Sequence, residues 1–121
     1  MDPLPDDALV VRGGLNLPEN FKRGSGVTVD QQGKLHGVSV NSAPDATIEA
    51  LTAPNAMTGY PGIKNNEIGV TTVGKVRAGG GDVVSSPTKK NPHHATMKGL
   101  TPEQASELLR PTNKNPSLAM K

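Results

Sequence analysis

Residues 82–110 read DVVSSPTKKNPHHATMKGLTPEQASELLR and predict two short strands followed by a helix. Asp82 to Ser86 is a short run with an apolar centre, as in a β-strand. His94 to Lys98 alternates polar and apolar side chains, which is the period of a strand with one buried face. The segment from Pro87 to Pro92 is rich in turn-forming residues and is expected to connect the two strands.

The helix has the clearest local signal in the chain. Thr101 is a helix-capping residue, Gln104 has the spacing of a capping box, and Pro102 suits the first helical position. Apolar side chains follow at spacings of three and four, at Ala105, Leu108 and Leu109. We expect the helix to run to about Arg110, because Pro111 cannot continue it.

The rest of the chain predicts further short elements. Strand patterns occupy residues 8–12, 27–29 and 34–40, a short helix is predicted over 44–51, and residues 21–26 and 55–67 are expected to form loops. Residues 68–78 are ambiguous. Their first part is compatible with a strand, and Thr72 is also a suitable cap for a short helix.

The composition indicates one loop-rich domain with a small aliphatic core. The chain has 121 residues, of which 33% are hydrophobic and 2% aromatic, with 14 Gly and 11 Pro. We expect a linker over residues 1–7, a folded domain over 8–110 and a flexible tail over 111–121. The acidic, proline-containing residues 1–7 do not have the pattern of a signal peptide, so any delivery signal is expected upstream.

Composition excludes disulfides and thiolate zinc sites, and no apolar run is as long as a membrane-spanning segment. The chain has no Cys, which rules out disulfides and thiolate zinc sites. No apolar run approaches the ~20 residues that span a bilayer.

Charge is unevenly distributed along the chain, because residues 86–121 carry six basic and two acidic residues. A basic C-terminal third favours a polyanionic substrate or an acidic protein partner, although solvated surface charge would give the same count.

The predicted strand at 94–98 places three functional side chains on one face. His94, Thr96 and Lys98 share that face at intervals of about 7 Å, and Ala95 and Met97 face the core. An imidazole, a hydroxyl and an ammonium in one row suit acid–base chemistry next to a phosphate. An ordinary solvent-exposed strand face would show the same pattern. Because adjacent residues point to opposite faces, His93 and His94 are not expected to share a metal ion, and no metal site is predicted.

Other candidate residues lie at strand ends and in loops. Arg12 ends an apolar strand at Gly13-Gly14, where a ligand can approach the backbone, although a surface arginine would look alike. Lys22 and Arg23 precede a Gly-Ser-Gly segment that suits phosphate contact. Ser39 lies on the polar face of its predicted strand, with no partner base apparent from sequence.

The chain resembles a known family of bacterial toxins. The segments that carry the resemblance are Gly80–Val84, Asn91–Ala105, Val10–Gly14 and His36–Ser39. They resemble the C-terminal tRNase domains of CdiA proteins, the polymorphic toxins of contact-dependent growth inhibition. The resemblance covers most of residues 8–112. It implies a compact α+β nuclease of the barnase/EndoU/colicin/RelE type, with a twisted antiparallel sheet and short helices.

The resemblance also implies an activity and partners. The expected toxin is secreted or displayed by the producing cell and acts in the cytoplasm of a target cell. It is expected to cleave tRNA near the acceptor end and to be masked by an acidic immunity protein. Several relatives require the translation factor EF-Tu, sometimes with EF-Ts and GTP. No metal or other cofactor is expected.

Site residues follow by the same resemblance. His94 and Thr96 would be the matching active-site pair, Arg12 the basic partner, and His36 a further catalytic candidate. Metal-independent attack of the RNA 2′-hydroxyl on the adjacent phosphate would use His94 as acid or base. The residues expected to bind substrate are Lys22, Arg23, Ser39, Lys89, Lys90 and Lys98.

Two other functions remain open. In an ADP-ribosyltransferase-like effector, Arg12 would hold the phosphates of NAD and His94 would face the nicotinamide ribose. The sequence has no convincing late catalytic Glu on a strand, which counts against that reading. A non-enzymatic binding module would show neither activity.

Overall fold

A computed structural model describes residues 3–24 and 26–118. Within them, the chain forms eight strands and four short helices. The strands are β1 Leu9–Gly13, β2 Thr28–Val29, β3 Leu35–His36, β4 Val38–Ser42, β5 Glu67–Thr72, β6 Asp82–Ser85, β7 His94–Lys98 and β8 Asn113–Lys114. The helices are α1 Pro18–Lys22, α2 Ile48–Thr52, α3 Val73–Ala78 and α4 Pro102–Leu109.

Six of these strands form one sheet in the order β6-β7-β4-β1-β5-β8. Every neighbouring pair in it is antiparallel. Strands β2 and β3 form a separate antiparallel hairpin. The prediction of an α+β fold with an antiparallel sheet and short helices is therefore confirmed.

The two faces of the sheet are covered unequally. Alternation along β1 sends Val10 into the larger core and Val11 into the smaller one. On the larger side, Phe21 of α1, Val76 of α3 and Leu109 of α4 are fully buried. On the other side, α2 packs Leu51 against Val11 and Ile68. The smaller cluster contains β1 and β5 residues but none from β6 or β7, whose outer face carries the predicted polar row.

Local signals predicted several elements correctly. Thr101 Oγ1 accepts from Gln104 N at 3.1 Å and Gln104 Oε1 accepts from Thr101 N at 3.0 Å, which confirms the capping box. In the ambiguous segment both readings hold in turn, because β5 ends at Thr72 and Thr72 Oγ1 then caps α3 by accepting from Lys75 N at 3.2 Å.

Two elements differ from expectation. The strand predicted over 34–40 is divided at Gly37, whose φ of 80° interrupts the extended backbone. The break brings Leu35 and Val38 to buried positions although they are out of phase in one strand. Residues 21–26 are not wholly loop, because α1 begins at Pro18 and ends at Lys22. Proline at the first helical position was the missed signal.

The expected linker and tail both contact the domain. Leu4 is buried, and Asp6 Oδ1 accepts from Arg77 Nη1 at 2.6 Å. Residues 113–114 form β8 on the free edge of β5 instead of a mobile tail, and Asn115 beyond them is buried. The apolar and amide side chains in these segments find partners that are distant in sequence. Residues 1–2 and 119–121 of the two predicted segments, and residue 25, lie outside the described part of the chain.

Candidate active site

Strand β7 presents the predicted polar row on the sheet face away from the larger core. Ala95 and Met97 are buried in that core, so His94, Thr96 and Lys98 lie on the opposite face. The predicted alternation is therefore confirmed. Lys98 is exposed and lies opposite Asp82 across the β6–β7 pairing.

Strand β4 adds two polar residues to the same face. In the antiparallel register Ser39 lies opposite Thr96 and Asn41 lies opposite His94. Directly opposed residues share a face of the sheet. The pairing therefore assembles a cluster from two strands that are far apart in sequence.

His94 is held by hydrogen bonds at both ring nitrogens. Nδ1 lies 2.9 Å from the Ser86 backbone oxygen and 3.0 Å from Ser86 Oγ, and Nε2 lies 3.1 Å from Ser39 Oγ. A carbonyl oxygen only accepts, so the proton of neutral His94 resides on Nδ1. The lone pair of Nε2 then accepts the hydrogen of the Ser39 hydroxyl. A hydroxyl within hydrogen-bond reach of an oriented imidazole is the arrangement of an acid–base site.

Ser86 links His94 to Thr96. Ser86 Oγ lies 2.8 Å from Thr96 Oγ1 as well as 3.0 Å from His94 Nδ1. Either hydroxyl can donate in the Ser86–Thr96 bond, and in the arrangement in which Ser86 donates, the Thr96 hydroxyl hydrogen is available to a ligand. Sequence reasoning did not single out Ser86. Its only sequence signal was its position at the end of the predicted strand over residues 82–86. In the structure Ser86 follows β6, and its backbone N–H donates to the His94 backbone oxygen.

A cleft of about 340 Å³ opens beside His94. Strand residues Val11, Ser39 and Asn41 form its floor, and residues 60–65 form a wall with Tyr60 and Ile63. Lys64 and Asn65 also line it, whereas no Asp or Glu among the described residues does. The cleft therefore combines a histidine base with a neutral or positive lining, which suits an anionic ligand.

Buried amides hold the wall against the sheet. Asn91 Nδ2 donates to Asn41 Oδ1 at 2.8 Å, and Asn41 Nδ2 donates to the Leu51 backbone oxygen at 2.8 Å. Asn41 Nδ2 also donates to the Tyr60 hydroxyl oxygen at 3.0 Å, which leaves the Tyr60 hydrogen free to point elsewhere. Sequence reasoning missed this network because its amides are 50 residues apart.

Arg12 lines the same cleft as His94, but its guanidinium packs on the opposite side of β1. Val10 and Arg12 share one face of β1, whereas Val11 shares the face of Asn41 and His94. The Arg12 guanidinium lies 4.5 Å from the centre of the Phe21 ring, and Nη1 donates to Asn16 Oδ1 at 2.7 Å. Burial lowers the pKa of Arg12 from its ordinary value, because the cation loses water.

His36 and four of the basic residues predicted to bind substrate lie outside the His94 hydrogen-bond network. His36 Nε2 lies 2.9 Å from Asp30 Oδ2 in the β2–β3 hairpin, so its ring is bonded outside the His94 network. This hydrogen bond is the main cause that lowers the pKa of Asp30. Lys22 and Arg23 lie at the exposed end of α1, on the helix-covered side. Lys89 and Lys90 are exposed in the connection that also supplies Asn91 to the cleft.

Within residues 3–24 and 26–118, neither a metal-binding cluster nor a membrane-spanning helix is present. No group of three or more His, Cys, Asp or Glu side chains there is arranged to hold a metal ion. In the same ranges, no helix has the length and apolar character needed to traverse a bilayer.

No protein-family model, curated protein or solved structure matches the chain.

Proposed function

We propose that the protein is a metal-independent endoribonuclease toxin in which His94 transfers the proton from the attacking hydroxyl. One observation carries the proposal: His94 Nδ1 is fixed by the Ser86 carbonyl, and Nε2 faces a cleft without carboxylates. A base in one tautomer beside an anion-compatible cleft is what RNA cleavage by its own 2′-hydroxyl requires.

The reaction uses groups that line the cleft. His94 Nε2 takes the proton of the RNA 2′-hydroxyl, and the 2′ oxygen forms a bond to the adjacent phosphorus. The bond from phosphorus to the 5′ oxygen breaks, and the leaving oxygen takes a proton from the Tyr60 hydroxyl. The products are a 2′,3′-cyclic phosphate and a 5′-hydroxyl end. Exchange with water then restores Tyr60 and neutral His94.

Charge on the phosphate is stabilised by hydrogen-bond donors. In this mechanism Ser86 donates its hydrogen to Thr96 Oγ1, one of the two directions open to that bond, and the Thr96 hydroxyl donates to the phosphate. Lys64 contributes positive charge from the wall of the cleft, and Lys98 from the end of the row. Donors that are already in place lower the barrier without reorganising during the reaction.

The biological setting comes from the family resemblance. We propose tRNA as the substrate, cleaved near its acceptor end after delivery into the cytoplasm of a target cell. The basic residues Lys89 and Lys90 beside the cleft suit an acidic immunity protein, which would block access to His94. EF-Tu, with EF-Ts and GTP, is the further partner that the test includes, with and without, to decide whether cleavage requires it. We also propose that the α+β fold of the chain is a nuclease fold of the barnase/EndoU/colicin/RelE type.

The ADP-ribosyltransferase alternative has less support. That chemistry is expected to use a catalytic Glu near the ribose, and no carboxylate among the described residues lines the cleft. Arg12 and His94 also lie on opposite faces of the sheet. We therefore keep transfer from NAD as a comparison in the test.

The test compares His94→Ala with the neighbouring His93→Ala. Wild-type protein is incubated with total tRNA in EDTA without added factors, and separately in Mg²⁺ buffer with and without EF-Tu, EF-Ts and GTP, and cleavage products are examined for 2′,3′-cyclic phosphate ends. We expect His94→Ala to lose about 10²- to 10⁴-fold in rate and His93→Ala to remain active, because His93 makes no side-chain hydrogen bond within the described residues.

Two results would overturn the proposal. One is intact tRNA in every reaction with the wild-type protein. The other is undiminished cleavage by His94→Ala. Parallel reactions with labelled NAD and cell extract would identify the alternative activity by label transfer to protein or nucleic acid.

A further inference from the structure

Arg12 is a half-buried cation without an acidic partner. Its Nη1 donates to Asn16 Oδ1, a neutral amide oxygen, and its other N–H groups have no acceptor within residues 3–24 and 26–118. The ion pairs in those ranges join His36 to Asp30 and Arg77 to Asp6 and Asp82. Thr71 Oγ1 is the buried side-chain polar atom without a partner in the described residues, so the remaining N–H groups of Arg12 are open to solvent and available to an anionic ligand.

The surroundings of Arg12 form a second cleft. It has a volume of about 380 Å³ and includes Gly13, Gly14, Leu17 and Asn20. Like the first cleft, it has no Asp or Glu in its lining within the described part of the chain. The backbone at Gly14 has a φ of 101°, a conformation that favours glycine, and leaves this wall without a side chain.

The two clefts adjoin. Arg12, Gly13 and Asn65 line both of them. A Cβ on Gly13 would clash with the side chains of Asn65 and Ile63, so Asn65 packs over Gly13 at the junction of the two clefts. Because the clefts share these lining residues, a ligand bound at His94 that continues beyond Asn65 reaches the Arg12 cleft and meets no negative side chain in either described lining.

We propose that Arg12 binds a second phosphate of the substrate, remote from the phosphate that reacts at His94. The proposal rests on the proposed function, and it replaces the expected role of Arg12 at the reacting phosphate. The ligand class is one with at least two linked phosphates, and single-stranded RNA is the source that fits the chemistry at His94. A guanidinium forms paired hydrogen bonds with phosphate oxygens, and Phe21 beneath it fixes the plane of the fork.

The test varies the number of phosphates in the substrate. Arg12→Gln and wild type are compared on a dinucleoside monophosphate, which has one phosphate, and on a tetranucleotide, which has three. We expect Arg12→Gln to lower kcat/KM for the tetranucleotide about 10- to 100-fold more than for the dinucleoside monophosphate, because only the tetranucleotide carries a second phosphate. Equal losses on both substrates would overturn the proposal, because they would place Arg12 at the reacting phosphate or in the structure alone.

Binding without cleavage separates this proposal from the proposed function. The tetranucleotide with 2′-O-methyl groups is titrated into His94→Ala with and without Arg12→Gln, and Kd is measured across a salt series. Loss of one phosphate contact should weaken binding about 10-fold or more and reduce the salt slope by about 0.7. Unchanged affinity and slope would overturn the second site even if His94 proves catalytic.

Controls address folding and the source of phosphate. Arg12→Lys keeps a cation above Phe21, and we expect it to retain part of the affinity. Arg110→Gln removes the same charge from an exposed position, and we expect wild-type binding. NAD is titrated in parallel, because its two phosphates are another source of the same chemistry. Arg12-dependent binding of NAD but not of RNA would support the phosphate site and contradict the RNA assignment.

Discussion

Ser39 Oγ lies 3.1 Å from His94 Nε2, across the pairing of β4 with β7. The Ser39 hydroxyl is exposed at the cleft and occupies the only ring nitrogen of His94 that can accept a proton. This geometry allows two roles. Either Ser39 is itself the nucleophile, or it holds the position that a substrate hydroxyl takes in the reacting complex.

The proposed RNA cleavage assigns the second role to Ser39. We therefore expect Ser39→Ala to keep activity within about tenfold of wild type, because the base and its tautomer are unchanged. Initial rates on a fluorescent oligoribonucleotide measure this. Loss as large as that of His94→Ala would instead identify Ser39 as a nucleophile.

Ser86 and Thr96 are expected to act as one unit. Ser86→Ala removes the hydroxyl link but leaves the backbone carbonyl that holds His94 Nδ1–H. We expect Ser86→Ala and Thr96→Val each to slow cleavage about tenfold, and the double variant to lose little more than either alone. Kinetics of the four proteins measure the coupling, and strictly additive losses would contradict it.

The same variants test the assigned tautomer. Nitrogen NMR of the His94 ring should show the Nδ1–H form in both wild type and Ser86→Ala, since the carbonyl acceptor is present in both. A dominant Nε2–H form in the wild type would remove the base from the cleft and would contradict the proposed mechanism.

The buried Asn41–Asn91 pair predicts a stability effect. Asn91→Ala leaves Asn41 Oδ1 without its donor at a buried position, which should lower the free energy of unfolding by about 1–3 kcal/mol. Asn66→Ala, at an exposed side chain, should change it by no more than about 0.5 kcal/mol. Urea denaturation measures both variants, and equal losses would contradict a special role for the buried amide.

The Arg77–Asp82 ion pair predicts a pH dependence. The hydrogen bond from Arg77 lowers the pKa of Asp82 below its ordinary 3.8, so folding is stabilised above that pH and this contribution is lost as pH falls through the lower folded value. Asp82→Asn should therefore cost about 1 kcal/mol or less at neutral pH, since the pair is partly exposed.

Unfolding measured in urea at neutral pH and near pH 2 checks the sign. The difference between wild type and Asp82→Asn should shrink in acid. A difference that grows as the pH falls would show that another interaction of Asp82 dominates.

Asn115 connects the segment after β8 to the wall of the cleft. Its Nδ2 donates to the backbone oxygens of Ile63 at 2.7 Å and Asn65 at 3.0 Å. We expect Asn115→Ala to loosen this wall and to raise KM more than it lowers kcat, because His94 is held by other strands. Steady-state kinetics separate the two constants. An unchanged KM would show that the wall does not depend on Asn115.

Interactions within about four residues were predictable from sequence. The Thr101–Gln104 capping box and the alternation around His94 depend only on local geometry, and both hold in the structure. The break at Gly37 had a local sign as well, because Leu35 and Val38 were out of phase.

Contacts set by strand register could not be predicted. Ser39 meets His94, 55 residues away along the chain, only because β4 pairs with β7 in one register. A shift of one residue would turn every side chain of a strand to the other face. The face of the sheet on which the Arg12 side chain lies depends likewise on how β1 aligns with β4.

That dependence on distant pairing also bears on when the protein becomes active. Sheets built from non-local contacts fold in about milliseconds to seconds, because long loops must close before any pairing stabilises them. The polar cluster needs β4, the end of β6 and β7 together, so it forms only when these three strands have paired. A chain that has not yet paired them would therefore be inert, and it would acquire its proposed chemistry in the kinetic step that joins β4 to β7.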